Sequence, residues 1–255
     1  MKGFIPMKKL FVVFYSLIIS SALSANGCVT SDQNLNKADT LIIKTMNYSN
    51  STTDSTAIIN IDYPQIAEFD NNSVKTKVNL FLEEEFKQSI TWFEEVKSDS
   101  AFFEDYPYEV QYTFETGFQT EFNSKDFISI VLSHYQFTGG AHGNYFALGY
   151  NIDMKDGKVL SLKDIIKEDS FDLLAYECEQ AILEKFEANS IIEAGLFEDE
   201  INIPEDQDFY IVPGMLVLQF DPYEIGPWSM GEITTEISFE KIKDILKPDL
   251  PFPTN

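Results

Sequence analysis

Arginine is missing from this chain: all eighteen basic residues are lysines. A planar guanidinium fork that grips phosphate or carboxylate at two points is therefore excluded. Cationic charge is scarce altogether, with forty-two acids giving a formal charge of −24. Such a field repels the phosphates of nucleic acid, so no nucleic-acid partner is expected. Histidine occurs twice, at His134 and His142, with no cysteine near either and no HExxH spacing. A zinc site takes three or four nitrogen, sulfur or oxygen ligands, so no metal is expected, and nothing implies a cofactor. Cysteine also occurs twice, at Cys28 and Cys178. No apolar run reaches bilayer-spanning length; the N-terminal run Leu10 to Ile19 falls well short of it.

That short run has a meaning of its own. Lys2, Lys8 and Lys9 precede it and the small residues Ser21-Ala-Leu-Ser-Ala-Asn-Gly27 follow, the layout of an export signal. Met7 is an alternative start, since Met7-Lys-Lys-Leu-Phe11 makes a complete front end. Cys28 stands where a bacterial lipobox places its lipidated cysteine. Ala25 and Asn26 depart from that motif, and Ala25-Asn-Gly27 also satisfies an ordinary cleavage site. Residues 1–27 are thus expected to be a signal peptide, and 28–44 a polar tether lipid-anchored at Cys28 in the cell envelope. The processed chain would keep fifteen lysines against forty-two acids, a formal charge of −27. With Cys28 acylated, Cys178 has no partner for a disulfide, and its helical context suits a small buried hydrophobe.

The rest alternates between two periods. Ile58 to Tyr63 reads as a strand. Residues 74, 78, 81, 82, 86, 90 and 93 are apolar at helical spacing over about six turns. Tyr108 to Phe122, Phe127 to Phe137 and Tyr145 to Ile152 read as strands. Asp156-Gly157 marks a hairpin. Ser170 is placed to cap a helix carrying Leu173, Leu174, Cys178, Ala181, Ile182 and Phe186. Phe209 to Phe220 reads as two strands around Pro213-Gly214, followed by a strand at Ile233 to Phe239 and a short helix at Lys241 to Leu246. Helices standing apart from hairpin-linked strands give an α+β fold, expected as two small domains, each a helix packed on an antiparallel sheet.

The candidate site residues cluster in two glycine-rich stretches. Tyr135-Gln-Phe-Thr-Gly-Gly-Ala-His-Gly-Asn-Tyr145 holds Thr138, Gly139, Gly140, His142 and Asn144. The three glycines suit a tight turn between strands, expected to join the two domains. Tyr223 and Trp228 lie in a second such stretch and are expected to be the partly exposed aromatics, whereas Phe137, Tyr145 and Phe146 are expected in the core. No GxSxG elbow is present, although the members of a Ser-His-Asp triad can be far apart in sequence. Asn151 to Lys158 resembles a calcium loop only loosely and lacks its closing glutamate. Among forty-two acids, catalytic carboxylate pairs cannot be told from chance pairs.

Thr138-Gly-Gly-Ala-His-Gly-Asn144 is followed by Tyr150-Asn-Ile-Asp153, Gly157-Lys158 and Leu160-Ser-Leu-Lys-Asp164. Further on stand Phe209-Tyr210, Leu216-Val-Leu-Gln-Phe220 and Tyr223-Glu-Ile-Gly-Pro-Trp-Ser-Met-Gly231. This pattern resembles the paired extracytoplasmic domains of the bacterial anti-sigma factor RsiV and of the non-catalytic N-terminal part of the peptidoglycan deacetylase PdaC. The resemblance implies a PdaC-type domain at 45–140, a second domain of unknown function at 141–248 and a tail at 249–255. It further implies a non-catalytic binding module whose ligand is a lysozyme-like basic protein or peptidoglycan. The deacetylase domain of that family and the cytoplasmic sigma-binding segment have no counterpart in the sequence. The alternative is a hydrolase or deacetylase-like enzyme acting on cell-wall glycan through His142, which would require a carboxylate or serine within hydrogen-bond reach.

Overall fold

A computed structural model of the protein describes residues 40–53, 56–98 and 111–254. The export signal and Cys28 lie outside the described residues.

Six strands form one sheet in the order β1 to β6: β1 (Ile42–Ser51), β2 (Ala57–Glu68), β3 (Tyr112–Asn123), β4 (Phe127–Phe137), β5 (Asn144–Asp153) and β6 (Lys158–Leu160). Helix α1 (Asn72–Ser98) runs between β2 and β3. Its first turn is met by Asn71, whose Oδ1 accepts the Val74 amide at 3.3 Å. Because α1 carries the chain back across the sheet, β3 returns parallel to β2, whereas every other neighbouring pair is antiparallel. The expected purely antiparallel sheet is corrected at this one junction, since a helical crossover delivers the next strand in the same direction.

The expected tether also ends earlier than residue 44. Asn123 ties down Leu41 from both sides, accepting its amide at 2.9 Å and donating to its carbonyl at 3.0 Å, and β1 starts one residue later. The first sheet likewise runs past the expected domain boundary at residue 140, because β5 and β6 pair onto β4 in sequence.

Past β6 the chain forms α2 (Leu162–Ile165), a 3-10 turn at Glu168–Ser170 and α3 (Phe171–Lys185). It then builds a small antiparallel sheet of β7 (Phe209–Val212), β8 (Met215–Phe220) and β9 (Ile233–Ser238), and ends on α4 (Phe239–Ile242). Ser170 stands at the start of α3 but makes no capping bond; its hydroxyl turns to Asp169 instead. The final helix is shorter and begins earlier than the expected Lys241 to Leu246. Cys178 is fully buried as expected, contacts the Thr235 hydroxyl and has a thiol pushed up to about 12 by burial, which leaves it inert.

Alternation along β4 divides the interior into two cores. Ile128, Ile130 and Leu132 face α1, where they meet Val78, Leu82 and Phe86. Phe127 faces the other way, into a core built from α3, β7, β8 and β9 around Cys178, Leu218 and Ile237. The two layers meet through buried polar bonds as well as apolar packing. Ser129 Oγ donates to Asn151 Oδ1 at 2.7 Å and accepts the Ile211 amide at 3.0 Å, while Asn151 Nδ2 donates to the Phe209 carbonyl at 2.8 Å. Ser129 and Asn151 are both completely buried, so this satisfied network specifies register rather than costing stability. Between these residues the backbones almost touch: a Cβ built on Gly149 would lie 1.9 Å from the Phe209 carbonyl oxygen.

Gly149→Ala is therefore expected to force β5 and β7 apart and lower unfolding stability by about 3 kcal/mol or more. Gly117→Ala, with nothing within 4 Å of the added carbon, should leave it nearly unchanged. Urea melts of the two variants make the comparison.

Candidate functional site

A cleft of about 650 Å³ opens where α1, the exposed ends of β4 and β5, and two loops of the second unit converge. Helix α1 contributes Glu85, Ser89 and Trp92. These positions follow helical spacing and form a second stripe beside the buried stripe Val78, Leu82, Phe86 and Phe93. One side of the helix thus seals the core while the adjacent side lines the cleft. The floor comes from His134 on β4 with Phe146, Leu148 and Tyr150 on β5. Across from α1 stand the loops holding Asp206, Asp208, Asp221, Tyr223 and Glu224.

Five carboxylates and no lysine line this cleft among the described residues. Some are already engaged. Glu85 accepts the Tyr150 hydroxyl, and burial together with that carboxylate pushes the phenol far above its ordinary range, so Tyr150 stays a donor. Glu224 accepts Gln207 Nε2 at 2.8 Å and the Asp221 amide at 2.8 Å. Asp221 accepts the Ala147 amide at 3.1 Å. Its own carboxyl is nevertheless pushed up to about 7, first by burial and then by repulsion from Asp208, Glu224 and Glu232.

His134 differs from its surroundings. Its ring stacks on Phe146 with centroids 4.5 Å apart, and its Nδ1 lies 3.4 Å from the Ser89 hydroxyl. Nε2 is buried with no hydrogen-bond partner. An unsatisfied buried group costs about 1–3 kcal/mol, which marks this nitrogen as one to account for functionally. Burial lowers the imidazole to about 4, so at neutral pH it adds no positive charge to the acidic cleft.

The residues singled out from sequence gather elsewhere. His142 stacks on Trp228 with centroids 4.5 Å apart and ring planes 13° from parallel. Close by in sequence, Tyr145 accepts the Glu232 amide on its hydroxyl at 2.8 Å, and Gly231 (φ 71°) leaves room for that hydroxyl, which would lie 2.9 Å from an added Cβ. The loop with Thr138, Gly139 (φ 89°), Gly140 (φ 100°) and Asn144 is the hairpin between β4 and β5. It joins two strands of one sheet, not two domains, and clasps the second unit through these ring and amide contacts. Of the seven proposed binding residues, Tyr223 alone lines the cleft, 59% exposed and held at φ 72°. Trp228 is half-buried; Phe137, Tyr145 and Phe146 are half-buried too, rather than core.

From sequence His134 reads only as a candidate metal ligand and Tyr150 only as part of a family motif, while Trp92, taken singly, and the acids at 206, 208, 221 and 224 carry no local signal of a site. The readable signal was the second stripe Glu85, Ser89, Trp92 on an otherwise core-facing helix. Among the described residues no group of three or more His, Cys, Asp or Glu side chains could hold a metal ion, and no helix is long and apolar enough to cross a membrane.

The two halves match known families separately. A family described as deacetylase PdaC matches residues 49–145, and a protein family of unknown function, DUF3298, matches residues 163–240. The chain carries a PdaC domain followed by a DUF3298 domain. The PdaC domain supplies α1 and most of the six-stranded sheet, and the DUF3298 domain supplies α3 and the small sheet. The peptidoglycan-N-acetylmuramic acid deacetylase PdaC of Bacillus subtilis is 29% identical over 129 residues, covering 49% of this chain and 27% of that enzyme. The chain thus spans about a quarter of that relative's length. Two crystal structures of DUF3298 proteins share the fold. One from Bacteroides fragilis has a TM-score of 0.67 at 17% identity, covering 81% of this chain and 94% of its own. One from Pseudomonas aeruginosa has a TM-score of 0.64 at 18% identity, covering 82% and 95%.

The two perturbed cleft groups pull stability in opposite directions with pH. His134 has a folded pKa of about 4, below its ordinary 6.5, so the native state loses stability as pH falls through that window. Asp221 has a folded pKa of about 7, above its ordinary 3.8, so its contribution is complete at low pH and is lost as pH rises towards 7. In melting-temperature profiles between pH 4 and 8, His134→Phe should weaken the acid-side decline. Asp221→Asn, whose amide oxygen can still accept Ala147 N–H, should raise stability mainly at the neutral end.

Proposed function

We propose that this chain is a non-catalytic, lipid-anchored protein of the cell envelope that binds cell-wall glycan in the cleft between its PdaC and DUF3298 domains. The single observation that carries this reading is the cleft itself. Trp92, Tyr135 and Tyr223 stand on its walls, and side-chain hydrogen-bonding groups stand between them. Sugar rings present apolar faces to aromatic rings and hydroxyls to carboxylates and amides, so this mixture suits an oligosaccharide. The relation to an enzyme named for peptidoglycan supports the same ligand class. The seating of His142 against Trp228, outside the cleft lining, favours a structural role for the one residue on which the enzymatic alternative rested.

The expected outcome is co-sedimentation of the protein with purified sacculi, reduced at least tenfold by Trp92→Ala or Tyr223→Ala without change in melting temperature. Equal sedimentation of the variants would overturn the assignment to the cleft. A second reading, binding of a basic lysozyme-like protein, is favoured by the formal charge of −24. That interaction would be steered by long-range charge and would weaken steeply between low and physiological salt. The anchor has its own test. Cys28→Ser should move the protein from the detergent phase to the aqueous phase in a phase-partition assay.

A further inference from the structure

We propose that the cleft recognises an amino sugar carrying a free, protonated amine, that is, a glycan from which N-acetyl groups have been removed. The inference rests on the glycan reading above and narrows it to a chemical class. Neutral N-acetylated sugars need donors and acceptors in balance. This cleft offers instead five carboxylates, Glu85, Asp206, Asp208, Asp221 and Glu224, with no lysine beside them among the described residues. Asp206, Asp208, Asp221 and Glu224 sit on two loops that line the same cleft as Trp92, so their negative field acts on the space the indole borders. A compact ammonium on a sugar ring satisfies both parts at once, with the ring against the indole and the cation towards the acids.

His134 points to the same ligand independently of the acids. Its side chain is 8% exposed and lines the floor, and its Nε2 finds no partner within the protein. A sugar hydroxyl can either donate to or accept from a neutral imidazole, so it serves that nitrogen in either tautomer. The imidazole must remain uncharged for an ammonium to sit above it, and burial among Phe86, Phe146 and Tyr150 keeps it so at neutral pH. A divalent metal is a poorer occupant, because no three of the described acids and histidines are placed to ligate one together. The class of reaction that must supply the ligand is amide hydrolysis on an N-acetyl sugar. Water adds to the acetyl carbonyl, the C–N bond breaks, acetate departs, and the amine gains the proton that makes it a cation. The domain pair would then read the product of deacetylation.

Charge linkage gives the proposal a pH signature. A bound ammonium favours ionised Asp221, whose neighbours Asp208, Glu224 and Glu232 all oppose its ionisation, while Glu85, His134 and Tyr150 line the same cleft from α1, β4 and β5. Ionised Asp221 and a protonated sugar amine coexist only around neutral pH, so affinity should pass through a maximum near pH 7 and fall on both sides.

The experiment is calorimetric titration of the protein with glucosamine tetramer, N-acetylglucosamine tetramer and trilysine at pH 5.5, 7 and 8.5. The expected result is binding of glucosamine tetramer at pH 7 at least tenfold tighter than of the other two, weakened severalfold at either extreme. Asp206→Asn combined with Glu224→Gln should cut that affinity at least tenfold and leave the weak acetylated interaction unchanged. Trp92→Ala, on the opposite wall, should weaken both sugars. Equal affinity for the two tetramers would overturn the amine reading while keeping the glycan site. Trilysine binding as tightly as glucosamine tetramer would overturn the sugar and indicate a basic protein. No binding of any probe would overturn the inference, and sedimentation with sacculi would then decide separately whether the broader reading survives.

Discussion

The architecture depends on how closely β5 can lie against β7. At Gly149 the strand has no side chain, and the Phe209 carbonyl occupies the place where a Cβ would stand. On either side of that contact the approach is fixed by bonds that admit one register. Asn151 reaches Phe209, Ser129 reaches Ile211, and Gln219 Nε2 donates to the Ala147 carbonyl at 2.6 Å. Apolar packing alone would let two sheets slide over one another, since dispersion and burial are non-directional. Buried, hydrogen-bonded amides and hydroxyls resist sliding, because any shift breaks the bonds they make. The cleft is a consequence: its floor belongs to β4 and β5, one wall to α1 and the other to the loop that enters β7 and the loop that leaves β8. Its width follows from the β5–β7 contact rather than from any cleft residue.

The same economy explains how so acidic a chain can keep a concave acidic surface. Its lysines are spent outside the cleft. Lys158 pairs with the half-buried Asp164, and Lys243 with Glu240 and Lys87 with Glu84 at exposed positions where ion pairs add little. None of these lysines is placed beside Asp221, whose carboxyl is raised first by burial and then by its acidic neighbours. A protein selected for stability alone would place a cation there. A raised carboxyl at Asp221 and an unpaired imidazole nitrogen at His134 make the cleft a less stable part of the fold, the usual condition of surfaces shaped for a ligand.

Much of the architecture was legible in the sequence because it is written in period. The helical spacing of Val78, Leu82, Phe86 and Phe93 and the apolar run of β4 identify α1 and the central strand directly. The turns at Gly157 and Gly214 are equally local, and both glycines adopt positive φ. Two features were not legible for physical reasons. β1 is largely exposed and polar, so its partners, not its own pattern, make it a strand. The parallel β2–β3 pair depends on where α1 delivers the chain, which no window of residues encodes. The candidate site was hidden more deeply still. Trp92, His134, Asp206, Asp221 and Tyr223 come from four separate segments, and each alone looks like an ordinary surface or core residue.

The contrast between the conspicuous motifs and the cleft bears on what the domain pair means. The glycine-rich hairpin with His142 and the loop with Trp228 carry the resemblance to relatives, and here they touch each other as a clasp holding two domains in register. Residues required for such a clasp are constrained by backbone geometry: φ 100° at Gly140, φ 71° at Gly231 and a ring-on-ring contact. Among the cleft residues only Tyr223, at φ 72°, carries a comparable backbone demand; the others are set by side-chain chemistry rather than by backbone geometry. Shared motifs in this domain pair therefore report shared architecture, and the ligand must be read from the cleft of each protein. In this chain that reading turns on an excess of carboxylates facing a tryptophan over a neutral histidine, an arrangement that the clasp positions but does not determine.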